Sequence, residues 1–321
     1  MDPIIIIIAL AVIAALMAIT LIATYICFRM AFYSPKRKQE KKTKSKVCYN
    51  VPVGDEYAAF REDFRVWREA VSAMPCDNVE IKSYDGLTLH ARYYEYAPGA
   101  PLEIMFHGYR GDAFRDLCGG VERCFKLGHN TLIVDHRACG ESEGSVITFG
   151  YKERMDCLNW INYSINRFGK DLKILITGIS MGGATVLMAS GEELPENVVG
   201  IIEDCSYTTT KEMICKTIKG MHLPVKLAYP FVRLGGIIWG DFDPDLSSPI
   251  EAVKRATVPI MFIHGESDNF IPLSMCDELY EACPTPKMRL TVKGAGHGLS
   301  FPKDQESYYK AVREFKQMIG L

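Results

Sequence analysis

The sequence predicts an α/β protein: a mostly parallel sheet with helices on both faces, carried behind an apolar helix long enough to cross a membrane. Three observations point there. A 25-residue stretch without a charge, Ile4 to Phe28, stands near the start of the chain. Beyond residue 100, short apolar runs alternate with helix-length amphipathic segments. Glycine-rich turns carrying Ser, Asp and His follow three of those runs.

The apolar stretch is the first element. At ~1.5 Å per residue, about 20 apolar residues cross a ~30 Å hydrocarbon core. A cleaved signal peptide fits worse, because only Met1, Asp2 and Pro3 precede the run and it exceeds the usual apolar region of a leader. Tyr25 close to Cys27 argues against lipoprotein processing. Residues 1–30 are therefore expected to be a retained transmembrane anchor, meeting the bilayer through residues 4–28. Residues 31–54 form a basic linker, in which Lys36, Arg37, Lys38, Lys41, Lys42, Lys44 and Lys46 face Glu40 alone. Positive residues stay on the cytoplasmic side. The expectation is a single-pass protein of the cell membrane with its large C-terminal part in the cytoplasm. The basic run could also meet anionic lipid headgroups. Asn162-Tyr163-Ser164 matches a glycosylation sequon, which would mean nothing in a cytoplasmic helix.

Composition narrows the remainder. Hydrophobic residues make up 48% of the 321 and charged residues 24%, which excludes wholesale disorder and collagen-like or coiled-coil architecture. A net charge of -2 offers no field for nucleic acid, and no nucleic-acid partner is expected. Eleven scattered cysteines without a CxxC pair are neither a disulfide scaffold nor a zinc site, and fit a reducing compartment.

One domain is expected over 55–321. Residues 55–73 place Tyr57, Phe60, Phe64, Trp67 and Val71 at helical spacing, to pack on the globular body, and Pro75 closes that helix. Alternating runs on either side of Asp85-Gly86 predict a hairpin within 79–97. Strands are expected at 102–107, 131–135, 172–178, 198–203, 258–264 and 288–292. Helices are expected near 113–127, 150–166, 182–192, 249–255, 273–283 and 304–319, the second with Tyr151, Met155, Leu158, Ile161 and Ile165 on one face. This alternation means a parallel sheet covered on both sides. Residues 207–247 break the rhythm and are expected to form a helical lid.

Ligands of open α/β sheets bind at the carboxyl ends of the strands. There, run 172–178 ends in Gly178-Ile179-Ser180-Met181-Gly182 ahead of a helix. A nucleophile on so sharp a turn needs small neighbours two residues away, which Gly178 and Gly182 supply. The helix start offers the Met181 amide to a developing oxyanion. Run 102–107 ends in His107-Gly108, with the Tyr109 amide as second donor and His107 as a residue shaping the loop. Past run 258–264, Asp268 is the carboxylate expected to orient an imidazole, with Glu266 shaping the turn and Asp204 a less well placed acid. His297, in Gly294-Ala295-Gly296-His297-Gly298, is the expected general base. Asp241, Asp243 and Asp245 mimic a calcium loop but lack its Gly and Glu. Cys139 and Cys205 lie near strand ends and could approach the site, with packing as their expected role, and no metal-ligand spacing is present.

The order Ser180, Asp268, His297 completes a resemblance spanning about 75–319. It also takes in Ser83-Tyr84-Asp85-Gly86-Leu87-Thr88-Leu89 and Asp135-His136-Arg137-Ala138-Cys139-Gly140-Glu141-Ser142-Glu143-Gly144. The chain resembles α/β-hydrolases of the group that includes the Bem46-like and ABHD13-like proteins, with similarity toward the S33 aminopeptidase and prolyl oligopeptidase branches. It departs from them mildly at Ala138, where members commonly carry Gly. The resemblance implies the α/β-hydrolase fold and hydrolysis through an acyl-enzyme, without metal or organic cofactor. The expected partner is a small-molecule or lipid ester. A peptidase or amidase with the same residues, and a membrane-anchored binding protein without catalysis, are the alternatives.

Overall fold

The structure, a computed structural model, describes residues 2–35 and 55–321. The basic run at 36–46 lies outside the described residues. Helix α1 (Pro3–Ala31) is capped by Asp2, whose carboxylate accepts the Ile4 amide at 2.9 Å. Residues 3–22 of α1 are uncovered on every side, whereas Thr24, Phe28 and Phe32 are buried. Among the described residues it is the one helix long and apolar enough to span a membrane.

The body begins with a 3-10 turn (Asp55–Phe60) leading into α2 (Arg61–Ala73). Strands β1 (Asp77–Lys82) and β2 (Thr88–Tyr94) form the hairpin around Asp85-Gly86. Then come β3 (Leu102–Phe106), α3 (Ala113–Lys126), β4 (Asn130–Val134), α4 (Glu153–Phe168), β5 (Ile174–Ile179) and α5 (Met181–Ala189). Strand β6 (Val198–Asp204) leads to the cap, α6 (Thr210–Gly220) and α7 (Val225–Gly240). The chain closes with α8 (Pro249–Val253), β7 (Ile260–Gly265), α9 (Leu273–Ala282), β8 (Lys287–Val292), α10 (Ser300–Lys303) and α11 (Gln305–Met318). Among the described residues the sheet has eight strands in the order β1-β2-β4-β3-β5-β6-β7-β8. The β1–β2 and β2–β4 pairs are antiparallel and the rest parallel.

Strand periodicity builds the two core layers. Leu102, Ile104 and Phe106 of β3 face one layer with Trp160 of α4 and Val186 of α5, while Met105 faces Trp67 and Leu117 on the other. On β7, Ile260 and Phe262 take the first side, and Met261 and Ile263 meet Val312 and Phe315 of α11. A sheet buried on both faces reads as continuous apolar runs for this reason. Helix α5 is apolar all round and wholly buried, as a helix at the centre of a sheet must be.

Helix α4 departs from its expected face. Its buried side is formed by Glu153, Asp156, Cys157, Trp160, Ile161 and Ser164, with Met155, Leu158 and Ile165 half-buried. Two carboxylates occupy the inner stripe because each has partners. Asp156 takes both arms of Arg137 at 2.7 Å, and Glu153 accepts the amides of Thr148 (2.8 Å) and Gly150 (3.0 Å).

Candidate active site

Ser180 occupies the single position between β5 and α5, at φ 56° and ψ -117°. Such a backbone costs a non-glycine residue of order 1–3 kcal/mol, so the surroundings must impose it. A Cβ on Gly178 would lie 2.0 Å from the Gly182 carbonyl oxygen, and one on Gly182 would lie 2.1 Å from that of Phe106. No side chain fits at either place, so the turn closes only with both glycines.

His297 sits in the loop after β8, and Asp268 in the loop after β7. The structure brings both to Ser180. The Ser180 hydroxyl donates to His297 Nε2 at 2.9 Å, and Nδ1–H donates to Asp268 Oδ2 at 2.7 Å. The other Asp268 oxygen accepts the amides of Phe270 and Ile271, both at 2.8 Å. Those two donors fix the carboxylate so that Oδ2 points at the imidazole. Asp204 is placed elsewhere: its Oδ1 accepts the Ser300 hydroxyl at 2.9 Å, and burial pushes its carboxyl up to about 7. Glu266 accepts the Gly294 amide at 3.2 Å and so ties the two loops together.

His107 accepts the His136 amide on Nε2 at 3.1 Å, which leaves its Nδ1–H to donate to the Gly108 carbonyl at 2.7 Å. Gly108 thereby lies against Ser180, at 3.6 Å from its Cβ measured to the place a glycine Cβ would take. Tyr109 and Met181 border the same cavity as Ser180. The segment 135–144 is a brace beside this loop. Asp135 accepts the amides of Ala113 (2.8 Å) and Glu141 (3.0 Å), and Arg137 joins Asp156 to Asp85 of the hairpin. Ala138 sits at φ 61°, a left-handed backbone that favours glycine.

Several residues at the site carry no sequence signal. The Tyr57 hydroxyl donates to the His297 carbonyl at 3.0 Å, and burial pushes its phenol well up. His264 Nε2 lies 2.9 Å from the Ile271 carbonyl and braces the Asp268 loop from behind, while burial lowers its basicity. Cys205 is closer than a packing residue need be. Its sulfur, Asp268 and His297 hold ligand-type atoms within 4.8 Å of one another. Two of those three are committed to the hydrogen-bond chain, and burial raises the Cys205 thiol well above its usual range. Asp243 and Asp245 are both engaged by Arg233, which accounts for the acidic loop.

The cavity over Ser180 measures about 360 Å³ and is overwhelmingly apolar. Met213, Ile214 and Ile218 of α6 and Val232 of α7 form its roof. Cys27, Met30 and Ala31 of α1 form part of its wall, a contribution the sequence does not suggest. The Tyr109 hydroxyl donates to the Ala31 carbonyl at 2.7 Å, and Arg110 donates to the carbonyls of Met30 and Tyr33, both at 2.9 Å. Burial pushes the Tyr109 phenol up to about 12. Backbone bonds from Ser34 to Ser145 (2.9 Å) and from Ile147 to Phe32 (2.8 Å) stitch the end of α1 to the body.

Comparison with known proteins agrees with this architecture. Residues 104–221 match the family model described as alpha/beta hydrolase fold. The chain is 29% identical over 190 residues to the uncharacterized protein YqkD of Bacillus subtilis, covering 59% of this chain and 62% of that one. It is 24% identical over 256 residues to protein bem46 of Schizosaccharomyces pombe, covering 75% and 77%. Among solved structures, an esterase of Pyrococcus furiosus superposes with a TM-score of 0.61 at 22% identity, over 78% of this chain and 93% of that one. That likeness carries the fold. Sheet order, the turn at Ser180 and the match over residues 104–221 together give the chain the α/β-hydrolase fold.

Proposed function

We propose that the protein is a serine hydrolase that cleaves carboxylic esters. The fold supports a hydrolase, and the observation that carries the finer reading is the unbroken hydrogen-bond chain Ser180–His297–Asp268 beneath an apolar cavity. In this reading His297 Nε2 takes the Ser180 proton as Oγ attacks the acyl carbonyl. Asp268 holds the tautomer and offsets the charge that forms on the imidazole. The amides of Tyr109 and Met181 receive the oxyanion. His297 then gives its proton to the departing alkoxide, leaving the acyl group on Ser180. Water, deprotonated by the same nitrogen, releases the acid and restores the serine.

The reading extends to placement. α1 anchors the chain in a membrane, and the basic run at 36–46 keeps the hydrolase domain on the cytoplasmic side. Hydrolysis of matched p-nitrophenyl esters and anilides by the full chain in detergent tests the chemistry. Esters are expected to be cleaved, with the rate lost in Ser180→Ala and His297→Ala. Faster cleavage of the anilides would overturn the ester assignment.

A further inference from the structure

The bare part of α1 has a length that places the rest of the molecule. Residues 3–22 are uncovered, and 20 residues at ~1.5 Å span ~30 Å, the thickness of a hydrocarbon core. From Thr24 onward α1 is packed against the body. With α1 as the anchor, the body would stand at the surface of the leaflet that α1 leaves.

Helix α7 meets α1 at that level. A Cβ on Gly235 would lie 2.6 Å from the Thr24 carbonyl, so only glycine allows the approach. Trp239 donates its indole N–H to Thr24 Oγ1 at 3.2 Å and meets Tyr25 edge-on, with ring centroids 5.2 Å apart. Past this contact α7 turns apolar side chains outward: Leu234, Ile237, Ile238 and Trp239 are each at least 40% exposed. Its two charges do not interrupt them. Arg233 turns back to Asp243 and Asp245, and Lys226 sits in the first turn. Exposed aliphatic residues beside Trp and Tyr are the composition of a membrane interface. Arg29, stacked 3.9 Å above the Tyr33 ring, adds a cation about a turn farther along.

The cavity opens nearby. Of its bordering residues six are exposed: Met30, Met221, Leu223 and Phe270 are apolar, Thr217 is polar, and Arg110 turns its guanidinium to the carbonyls of Met30 and Tyr33. Met30 lies six residues beyond Thr24, ~9 Å along the axis, within reach of the headgroup layer.

We propose that the C-terminal half of α7 is seated in the leaflet that α1 leaves. The cavity then takes the acyl chain of a membrane-resident ester through a mouth shared by α1 and the α6–α7 cap. The substrate half of this inference rests on the ester-hydrolase reading; the seating of α7 rests on the reading of α1 as the anchor and not on the chemistry.

The test uses the full chain in phosphatidylcholine nanodiscs. Trp67 and Trp160 are buried in the core, so quenching by brominated phosphatidylcholine reports Trp239. Fluorescence is expected to fall in brominated discs, and the fall to vanish in Trp239→Phe. In that background Leu234→Trp is expected to restore it. Leu234→Glu combined with Ile238→Glu is expected to slow cleavage of a disc-embedded long-chain ester at least tenfold. A water-soluble butyryl ester is expected to be cleaved within twofold of wild type by the same variant. Absence of quenching at both positions would overturn the seating. Equal loss on both esters would overturn uptake from the leaflet. Quenching in a protein that cleaves neither ester would uphold the seating and overturn the hydrolase reading and the substrate half with it.

Discussion

Ser180, His297 and Asp268 are held by backbone more than by one another. The strained φ of Ser180 is imposed by two glycines, and the Asp268 carboxylate is gripped by two amides at 2.8 Å. Asp268→Asn is therefore expected to leave the fold intact but present an amide to His297 Nδ1, favouring the wrong tautomer. A fall in kcat of roughly three to four orders of magnitude is expected, with KM little changed, in steady-state ester hydrolysis. These three residues were legible because each follows a strand end in a glycine-marked turn. Tyr57 and His264 were not. Tyr57 reaches His297 across 240 positions, and no local pattern records a contact that only the closed sheet creates.

At the scale of elements, strands and helices were legible wherever burial followed hydrophobicity. β3 and β7 lie close to their expected limits because both faces are apolar. α4 shows where that logic ends: Glu153 and Asp156 point inward because partners satisfy them, and hydropathy treats every carboxylate as a surface group. The seating of α1 on α7 was invisible for another reason. A helix apolar on all sides has no stripe to mark the side that packs. Gly235 now marks it. Gly235→Val is expected to force the helices apart and lower Tm by several degrees in detergent, read by differential scanning fluorimetry. Gly220→Val is the control, since its Cβ direction meets nothing within 4 Å.

The whole molecule carries buried charge beneath the site. Glu103 is fully buried between Arg123, His129 and Thr177. Burial opposes its ionisation, but Arg123 and His129 prevail and hold the carboxyl well below its usual range. Arg123→Met would strand that charge and is expected to cost about 3–5 kcal/mol in denaturant unfolding. Adding Glu103→Gln is expected to recover part of the loss.

Asp204 gives stability a pH dependence. Its carboxyl ionises near 3.8 in the unfolded chain and, through burial, at about 7 in the fold. Between those values the folded state keeps a proton that the unfolded state has lost. Stability from this group therefore falls as pH rises through that window. Asp204→Asn retains an acceptor for Ser300 and removes the ionisation. Its Tm is expected to exceed that of wild type by more at pH 8 than at pH 5.

The central claim is that Ser180 is an activated nucleophile. Labelling of the full chain by a fluorophosphonate, with the adduct located by peptide mass spectrometry, tests it most directly. A single adduct on Ser180, absent in Ser180→Ala and strongly reduced in His297→Ala, is the expected result. A folded wild-type chain that stays unlabelled, or that labels equally without His297, would contradict it.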